Sequence, residues 1–304
     1  MTIRTTATDV RRTLKEGMAR LRAARIPSHT LAAELLLMHA LGRDRTWLYS
    51  HPESSIPRDI AEKYLALIER RASGEPTQYL TGKQEFWGLE FEVNRDVLIP
   101  RPETEHLIEV ALERLGSRGL KINAAGAANS PLRVADVGTG SGCIAVALAR
   151  EMPHAEIVAI DISEAALAVA RRNATRHGVA DQIQFIQSDF LVSCREFAPF
   201  DLIVSNPPYV DRDEAENLPR EVRDHEPHVA LFGGAMGTEM YPRLVAQAFQ
   251  LLRAGGTLVL ELGHNSAGRI RQLLVPQKGW DGTHITNDLA GIARVIAAQR
   301  LAFH

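Results

Sequence analysis

An alternation of short apolar strands and amphipathic helices beginning near residue 133 constrains the fold most strongly. The strings RVADVG, EIVAIDI, IQFIQSD and FDLIVSN predict strands, and CIAVALAREM and SEAALAVARRNATRHG predict helices between them. TLVLELG and two strands near 283–287 and 293–300 continue the pattern. Continuously apolar strands between helices are typical of a parallel sheet covered on both faces. We therefore predict an α/β fold for this part of the chain.

The segment before it has a helical period. TDVRRTLKEGMARLRAARI, SHTLAAELLLMHALG and PRDIAEKYLALIERRASGEP each predict a helix, with Thr8 or Asp9 able to cap the first and Gly42 ending the second. Residues 79–99 are rich in aromatic and β-branched side chains and are divided by Gly88, which predicts a hairpin. We therefore expect a helical N-terminal bundle, a hairpin linker and the α/β domain, at residues 1–75, 76–100 and 101–304.

Composition narrows the class of protein. The net charge of −2 and the hydrophobic fraction of 45% are ordinary for a soluble globular protein. Two cysteines give neither a disulfide framework nor a CxxC metal spacing, which fits a reducing compartment. The first residues lack the apolar core of a signal peptide, and no apolar run approaches membrane-spanning length. We expect a cytoplasmic protein without membrane contact.

A glycine-rich loop, DVGTGSGC, follows the first predicted strand and opens a helix. Its glycines allow a tight turn and a close approach of the backbone to a ligand. The spacing G-x-G-x-G differs from the dinucleotide pattern, and no lysine follows as in a phosphate-binding P-loop. The second strand ends in an acidic residue that can accept both hydroxyls of a ribose. The predicted nucleoside contacts are Gly138, Thr139, Gly140, Ser141, Gly142 and Asp161.

The third predicted strand ends in QSDF. Asp189 and Phe190 could contact an adenine by a hydrogen bond and by packing, although a strand-end acid and a core aromatic would explain them equally well. Together with the glycine loop and Asp161, the arrangement is similar to that of class I S-adenosylmethionine (SAM) methyltransferases. The resemblance implies a Rossmann-like methyltransferase sheet that binds SAM and releases S-adenosylhomocysteine.

The fourth strand ends in the tetrapeptide Asn206, Pro207, Pro208 and Tyr209. Open parallel sheets bind their ligands at this end of the strands. Asn206 offers a side-chain carbonyl, and Pro207 has a fixed φ and a free backbone carbonyl. These two acceptors could hold both hydrogens of a planar NH₂ group while Tyr209 packs on its flat face. A strand that is merely ended by proline is the alternative, and the preceding glycine loop favours a site.

The chemistry of this tetrapeptide can be worked out from its groups. An amide or exocyclic amino nitrogen is a poor nucleophile because its lone pair is delocalised. Two acceptors on its hydrogens favour a pyramidal, partly positive transition state and direct the lone pair at a methyl sulfonium. The motif thus predicts methyl transfer to a planar nitrogen without a strong general base. It leaves open whether that nitrogen belongs to adenine or to glutamine.

Longer strings narrow the family. The chain resembles the bacterial peptide chain release factor glutamine methyltransferases, the HemK/PrmC family, over residues 74–296. VLIPRPETE combined with NPPY is the most specific part, and the related ribosomal-protein glutamine methyltransferases typically differ within RPETE. The matching strings are GEPTQYLTGKQEFWGLEFEV, VLIPRPETE, DVGTGSGCIAVALA, DISEAALAVARRNA, FDLIVSNPPYV, EPHVALFGGAMG, LLRAGGTLVLELG and DLAGIARVI.

The resemblance implies SAM-dependent methylation of the side-chain nitrogen (N5) of glutamine in the GGQ motif of release factors. It implies SAM contacts from Gly138 to Gly142, from Asp161 and from Asn206, with Phe190 beside the adenine. It also implies glutamine binding by residues 206–209, with Asn206 and Pro207 at the reacting nitrogen. The helical domain is expected to recognise the release factor. We expect a monomer, with no metal and no direct contact with nucleic acid.

Two departures and several alternatives accompany this interpretation. Asn265 stands where the family usually has glutamine, and Ala293 where aspartate is common.

An adenine-N6 methyltransferase of DNA or RNA would want a basic channel and a pocket for a flipped base. Residues 81–304, however, hold 22 Lys and Arg against 28 Asp and Glu. A ribosomal-protein glutamine methyltransferase is the second alternative. A binding module without activity is the third, and the intact loop and tetrapeptide argue against it.

Overall fold

A computed structural model of the protein describes residues 8–117 and 131–302. The polar segment 118–130 lies outside the described residues. The chain divides into two compact units. The first contains the residues up to Lys83 together with Pro219–His225, and the second contains Gln84–Leu218 and the residues from Glu226 onward.

Helices and strands are numbered in chain order. The helices are α1 (Val10–Ala23), α2 (His29–Leu41), α3 (Arg45–Ser50), α4 (Arg58–Ala72), α5 (Thr77–Thr81), α6 (Glu105–Ser117), α7 (Cys143–Glu151), α8 (Glu164–Arg176), α9 (Arg220–His225), α10 (His228–Leu231), α11 (Met240–Leu251) and α12 (Ala267–Arg271). The strands are β1 (Thr8–Asp9), β2 (Ser55–Ile56), β3 (Lys83–Phe86), β4 (Leu89–Glu92), β5 (Arg133–Val137), β6 (Glu156–Asp161), β7 (Ile183–Gln187), β8 (Phe200–Ser205), β9 (Val210–Asp211), β10 (Phe232–Gly234), β11 (Leu252–Glu261), β12 (Trp280–Asn287) and β13 (Ala293–Arg300).

The first unit is a helical bundle in which α1, α2 and α4 pack around an apolar core. The predicted helix ends are confirmed: Asp9 accepts the Arg12 N–H at 2.8 Å, and Gly42 ends α2 in the left-handed region. Helix α9 belongs to this unit although it lies far along the chain. Its Glu221 accepts a 2.5 Å hydrogen bond from Arg71, a guanidinium that is only 4% exposed.

The second unit contains a seven-stranded sheet within the described residues, in the order β12-β13-β11-β8-β5-β6-β7. The five strands β11, β8, β5, β6 and β7 are parallel, as predicted. The sheet is mixed, because β13 pairs antiparallel with both β11 and β12, and this leaves the predicted α/β class unchanged. Only five residues connect β12 to β13, which is too short for the crossover that parallel neighbours need.

The predicted hairpin is present but shorter than residues 79–99. Strands β3 and β4 pair with each other, whereas residues 77–81 form α5, which begins after Pro76 and ends at a left-handed Gly82. The hairpin is fixed to the sheet domain by several hydrogen bonds. The backbone N–H of Trp87 donates to Glu105 at 2.7 Å, and that of Glu92 donates to Asn173 at 2.7 Å.

The order of the strands positions a site. Strand β5 lies between β6 and β8, so the chain leaves β5 in one direction and later returns on its other side. Ligands of open α/β sheets bind outside the carboxyl ends of the strands at such a switch point. Val137 ends β5 immediately before the glycine loop, and Ser205 ends β8 immediately before the tetrapeptide. The two sequence motifs therefore meet at the place where this fold binds ligands.

Candidate active site

A cavity opens at the carboxyl ends of the central strands. Its wall includes residues 138–141 of the glycine loop, Asp161, Asp189, Phe190, Asn206 and Pro208. Other lining residues come from the segment before α6 and from the segment around α10, among them Asp96, Val97, Leu98, Pro100, Arg101, Thr104, Pro227, Val229 and Ala230. Most of the predicted site residues are thus brought together around one space. Pro207 is buried and Tyr209 is half-buried, and neither of them lines this cavity.

The glycine loop is shaped for close approach of a ligand. Gly138, Gly140 and Gly142 all have positive φ, which L side chains rarely adopt. A Cβ added to Gly140, which lines the cavity, would meet no atom of the described residues within 4 Å, so it would project into the open space. Thr139 is buried and donates its hydroxyl to Asp136 at 2.6 Å. Its backbone is therefore the part that faces a ligand.

Asp161 lies at the end of β6 with its carboxylate held by backbone donors. Oδ2 accepts the N–H of Gly140, and Oδ1 accepts the N–H of Ser163, both at 2.9 Å. Each oxygen keeps a second lone pair, so the carboxylate can still accept two vicinal hydroxyls. Burial raises the pKa of Asp161, and the backbone donors oppose that shift. These features fit the ribose of a nucleoside such as SAM.

The residues predicted to contact adenine follow β7. Both line the cavity, and Phe190 has a left-handed backbone with φ of 53°. Arg243 of α11, which the sequence did not single out, pairs with the Asp189 carboxylate at 2.6 Å. The same guanidinium lies 5.2 Å from the centre of the Phe190 ring. Arg243 thereby contacts both predicted adenine-binding residues.

Hydrogen bonds beneath Asn206 orient the tetrapeptide. Asn206 donates from Nδ2 to the Thr104 hydroxyl at 3.1 Å, and Thr104 donates to Oε2 of Glu261 at 2.7 Å. Tyr209 donates its hydroxyl to Oε1 of the same carboxylate at 3.2 Å. Burial raises the pKa of Glu261 to about 7, and hydrogen bonds from Thr104 and Tyr209 oppose the shift. Sequence reasoning missed Thr104 and Glu261, although both lie in strings that carry the family resemblance.

Glycines pack closely against the backbone of the tetrapeptide. A Cβ on Gly237, whose φ is 68°, would lie 2.2 Å from the carbonyl oxygen of Tyr209. A Cβ on Gly233 would lie 2.4 Å from the carbonyl oxygen of Pro208. The short parallel pair of β9 and β10 brings this segment alongside the tetrapeptide. The string FGGAMG is therefore explained by the close approach of one loop to another.

The residues around RPETE have structural partners. Arg101 donates to Oε1 of Glu226 at 2.6 Å, and the N–H of Ile99 donates to Oε2 at 3.2 Å. Glu226 is 3% exposed, so a buried carboxylate links Arg101, which lines the cavity, to the backbone of Ile99. Glu105 accepts the N–H of Trp87 and thereby attaches the hairpin to the start of α6. Within residues 8–117 and 131–302, no group of three or more His, Cys, Asp or Glu side chains could hold a metal ion.

The two departures from the family pattern lie away from the cavity wall. Asn265 is exposed and has a φ of 59°, a left-handed conformation in which asparagine is enriched. Ala293 begins β13 after a turn in which Asp288 accepts the N–H groups of Ala290 and Ile292. None of the helices within residues 8–117 and 131–302 has the length and apolar character needed to cross a membrane.

Comparisons with known proteins agree with this geometry. Residues 12–82 match the PrmC N-terminal domain, and residues 123–222 match the methyltransferase small domain. The catalytic domain of hMettl16, solved in complex with the MAT2A 3'UTR hairpin 6, has the same fold. Its TM-score is 0.55 at 17% identity, covering 78% of this chain and 82% of that one. The fold and the site together define a class I SAM-dependent methyltransferase.

Sequence relatives narrow the class to one family. The release factor glutamine methyltransferase of Koribacter versatilis is 43% identical, over 95% of this chain and 99% of that protein. The one of Nitratidesulfovibrio vulgaris is 41% identical, over 94% of each. The chain belongs to the release factor glutamine methyltransferase family. The family and the fold class predicted from sequence are thereby confirmed.

Proposed function

We propose that the protein transfers a methyl group from SAM to the side-chain nitrogen N5 of a glutamine in peptide chain release factors. The glutamine would be that of the GGQ motif, as the family resemblance implies. The single observation that carries this proposal is the position of Asn206. It lines the cavity beside the glycine loop, and its amide is bonded through Nδ2 to Thr104.

The roles of the residues follow from their groups. When bound against the glycine loop and Asp161, SAM supplies a methyl group on a sulfonium. Asn206 Oδ1 and the carbonyl of Pro207 would accept the two hydrogens of the glutamine NH₂, while Tyr209 would pack on the flat amide. Pro208, with its fixed φ, would keep these acceptors in place. As the new N–C bond forms and the S–C bond breaks, the nitrogen releases one proton to solvent.

Preorganised acceptors are the main catalytic contribution in this proposal. They favour the partly positive nitrogen of the transition state over the planar ground state, and they need no strong base. Their arrangement before the substrate arrives supports this, because Asn206 is already held by Thr104 at 3.1 Å.

A labelled-methyl assay tests the substrate. With methyl-labelled SAM, we expect label in an unmethylated release factor and none in a release factor whose GGQ glutamine is replaced. Duplex DNA, a hairpin RNA and ribosomal proteins are the matched alternatives and should stay unlabelled. Label on nucleic acid without label on the release factor would overturn the proposal in favour of an adenine methyltransferase.

We also propose that the helical unit recognises the release factor outside its glutamine motif, with residues 101–304 as the methyltransferase domain and 76–100 connecting them. The match of residues 12–82 to the PrmC N-terminal domain supports a dedicated role for this unit. We propose that the protein is a monomer. A substrate of the translation machinery supports a cytoplasmic location and a protein partner without direct nucleic-acid contact.

Recognition outside the motif has a measurable consequence. We expect kcat/KM for an intact release factor to exceed that for a short GGQ peptide by about 10²-fold, equivalent to roughly 3 kcal/mol of remote binding energy. Steady-state kinetics with both substrates measure the ratio, and light scattering gives the mass of the enzyme in solution. Equal kcat/KM values for peptide and factor would contradict a recognition role.

A further inference from the structure

A buried chain of hydrogen bonds ends at the amide that lines the cavity. Glu261 at the end of β11 accepts from Thr104, which directly precedes α6, and Thr104 accepts from Asn206. Thr104 and Glu261 are 3% and 2% exposed, so water does not compete for these groups. The three side chains come from segments 102 and 157 residues apart in sequence. Their contact is a product of the tertiary fold.

The direction of these bonds follows from the groups involved. An ionised carboxylate only accepts, whereas a threonine hydroxyl has one hydrogen to donate. Because that hydrogen goes to Glu261, the Thr104 oxygen can act toward Asn206 only as an acceptor. Only the NH₂ branch of the asparagine amide can satisfy it. The Oδ1 branch is then the one left for a ligand.

We propose that Thr104 is a positioning residue that, with Glu261 as its fixed acceptor, sets which end of the Asn206 amide meets the substrate. The inference rests on the proposed function. An amide held with Oδ1 outward accepts from an NH₂ group, whereas a reversed amide would present its own NH₂ to a carbonyl or carboxylate. The chain of hydrogen bonds therefore selects glutamine over glutamate at the reacting position.

The protonation state of Glu261 affects how this chain of hydrogen bonds orients the Asn206 amide. Burial raises the pKa of Glu261 to about 7, within a range where activity can be measured. A protonated Glu261 becomes a donor, so Thr104 is released to point its hydrogen at Asn206 and the amide can turn. The orienting form is the carboxylate, and it is lost as pH falls through about 7. The groups that face Glu261 or act on its charge are Thr104, Glu103, Tyr209, Tyr241, Arg294 and Cys143.

Paired substitutions test the positioning role. Thr104→Val keeps the shape and removes the hydroxyl, and we expect kcat to fall about 10²-fold because the acceptor is misoriented. Thr104→Ser restores the hydroxyl and should recover most of that loss. Thr257→Val is the matched control: Thr257 lies on the same strand as Glu261 and is fully buried, and its hydroxyl has no hydrogen-bond partner among the described residues. It should keep the wild-type kcat.

Two further readouts separate positioning from structural damage. Affinity for S-adenosylhomocysteine, measured by calorimetry, should equal that of the wild type in each of the variants Thr104→Val, Thr104→Ser, Thr257→Val and Glu261→Gln. The kcat of the wild type should decline as pH falls through about 7, whereas Glu261→Gln, which cannot ionise, should have a lower and flatter profile. A release factor with glutamate in place of the GGQ glutamine should inhibit Thr104→Val relatively better than it inhibits the wild type.

The outcomes are distinguishable. A wild-type enzyme that does not methylate release factor refutes the proposed function. A wild type that does so, with Thr104→Val equally active and Glu261→Gln keeping the wild-type pH profile, overturns the positioning role alone. If Thr104→Val loses its fold, as judged by its Tm and S-adenosylhomocysteine affinity, the Thr104→Ser rescue and the Glu261→Gln profile decide. A wild-type profile for Glu261→Gln would then refute the proposal.

Discussion

Asn206→Ala is expected to lower kcat for release factor methylation by about 10²- to 10³-fold, the range found when one preorganised transition-state contact is removed. The substitution deletes the proposed side-chain acceptor for one hydrogen of the glutamine NH₂. It also leaves the buried Thr104 oxygen without the amide donor that it has in the native protein. Because the glycine loop and Asp161 are untouched, affinity for SAM should stay within about threefold, a difference of less than 1 kcal/mol.

Single-turnover kinetics and calorimetry measure the two halves of this expectation. Single-turnover rates with saturating SAM isolate the chemical step, and titration with S-adenosylhomocysteine reports the cofactor site. Asn217→Ala is a suitable control because Asn217 is exposed and lies outside the cavity wall. An Asn206→Ala enzyme with the wild-type rate would show that the amide does not act on the reacting nitrogen.

Asp161→Ala should have the opposite signature, with Kd for SAM raised by about 10²-fold or more. Each hydrogen bond from a ribose hydroxyl to a charged group contributes about 1.5–3 kcal/mol, and two such bonds would be lost. The N–H groups of Gly140 and Ser163 would also lose their acceptor, which loosens the loop. At saturating SAM, kcat should fall much less than it does in Asn206→Ala.

Calorimetry with SAM and with S-adenosylhomocysteine checks this second expectation. Asp181→Ala removes an exposed carboxylate near the start of β7 and serves as the matched control. Asp161→Asn keeps the size of the side chain and should bind more weakly than the wild type, because one oxygen becomes a donor. Unchanged affinity in Asp161→Ala would mean that a ribose does not rest on this carboxylate.

The parallel strands and the positions of their ends could be predicted from the sequence. A strand that is buried on both faces is a continuous apolar run, so its carboxyl end is marked by the first polar or glycine residue. Asp161 ends β6 in this way, and Ser205 ends β8 directly before Asn206. Asp161 and Asn206 both line the cavity. The antiparallel β12 and β13 were also within reach, since the five-residue connection between them excludes a crossover.

The hydrogen bonds that hold the site residues in place could not be predicted from the sequence, for a physical reason. Thr104 contacts Asn206 and Glu261 across long stretches of chain, and Asn173 joins the hairpin to the glycine loop through Glu92 and Ser141. A single sequence does not indicate which residues far apart along the chain come into contact. Each of these residues reads locally as an ordinary helix start, strand end or helix position. Only the folded chain defines what their polar groups bond.

The discontinuous make-up of the helical unit bears on how the chain is synthesised. Helix α9, with the Glu221 that pairs with buried Arg71, emerges from the ribosome only after the whole stretch from Gln84 to Leu218. Until then the Arg71 guanidinium lacks its carboxylate, and an uncompensated buried charge is strongly destabilising. The helical unit is therefore translated first, but it cannot be completed until α9 has been synthesised. A fragment ending at Lys83 would keep that defect permanently.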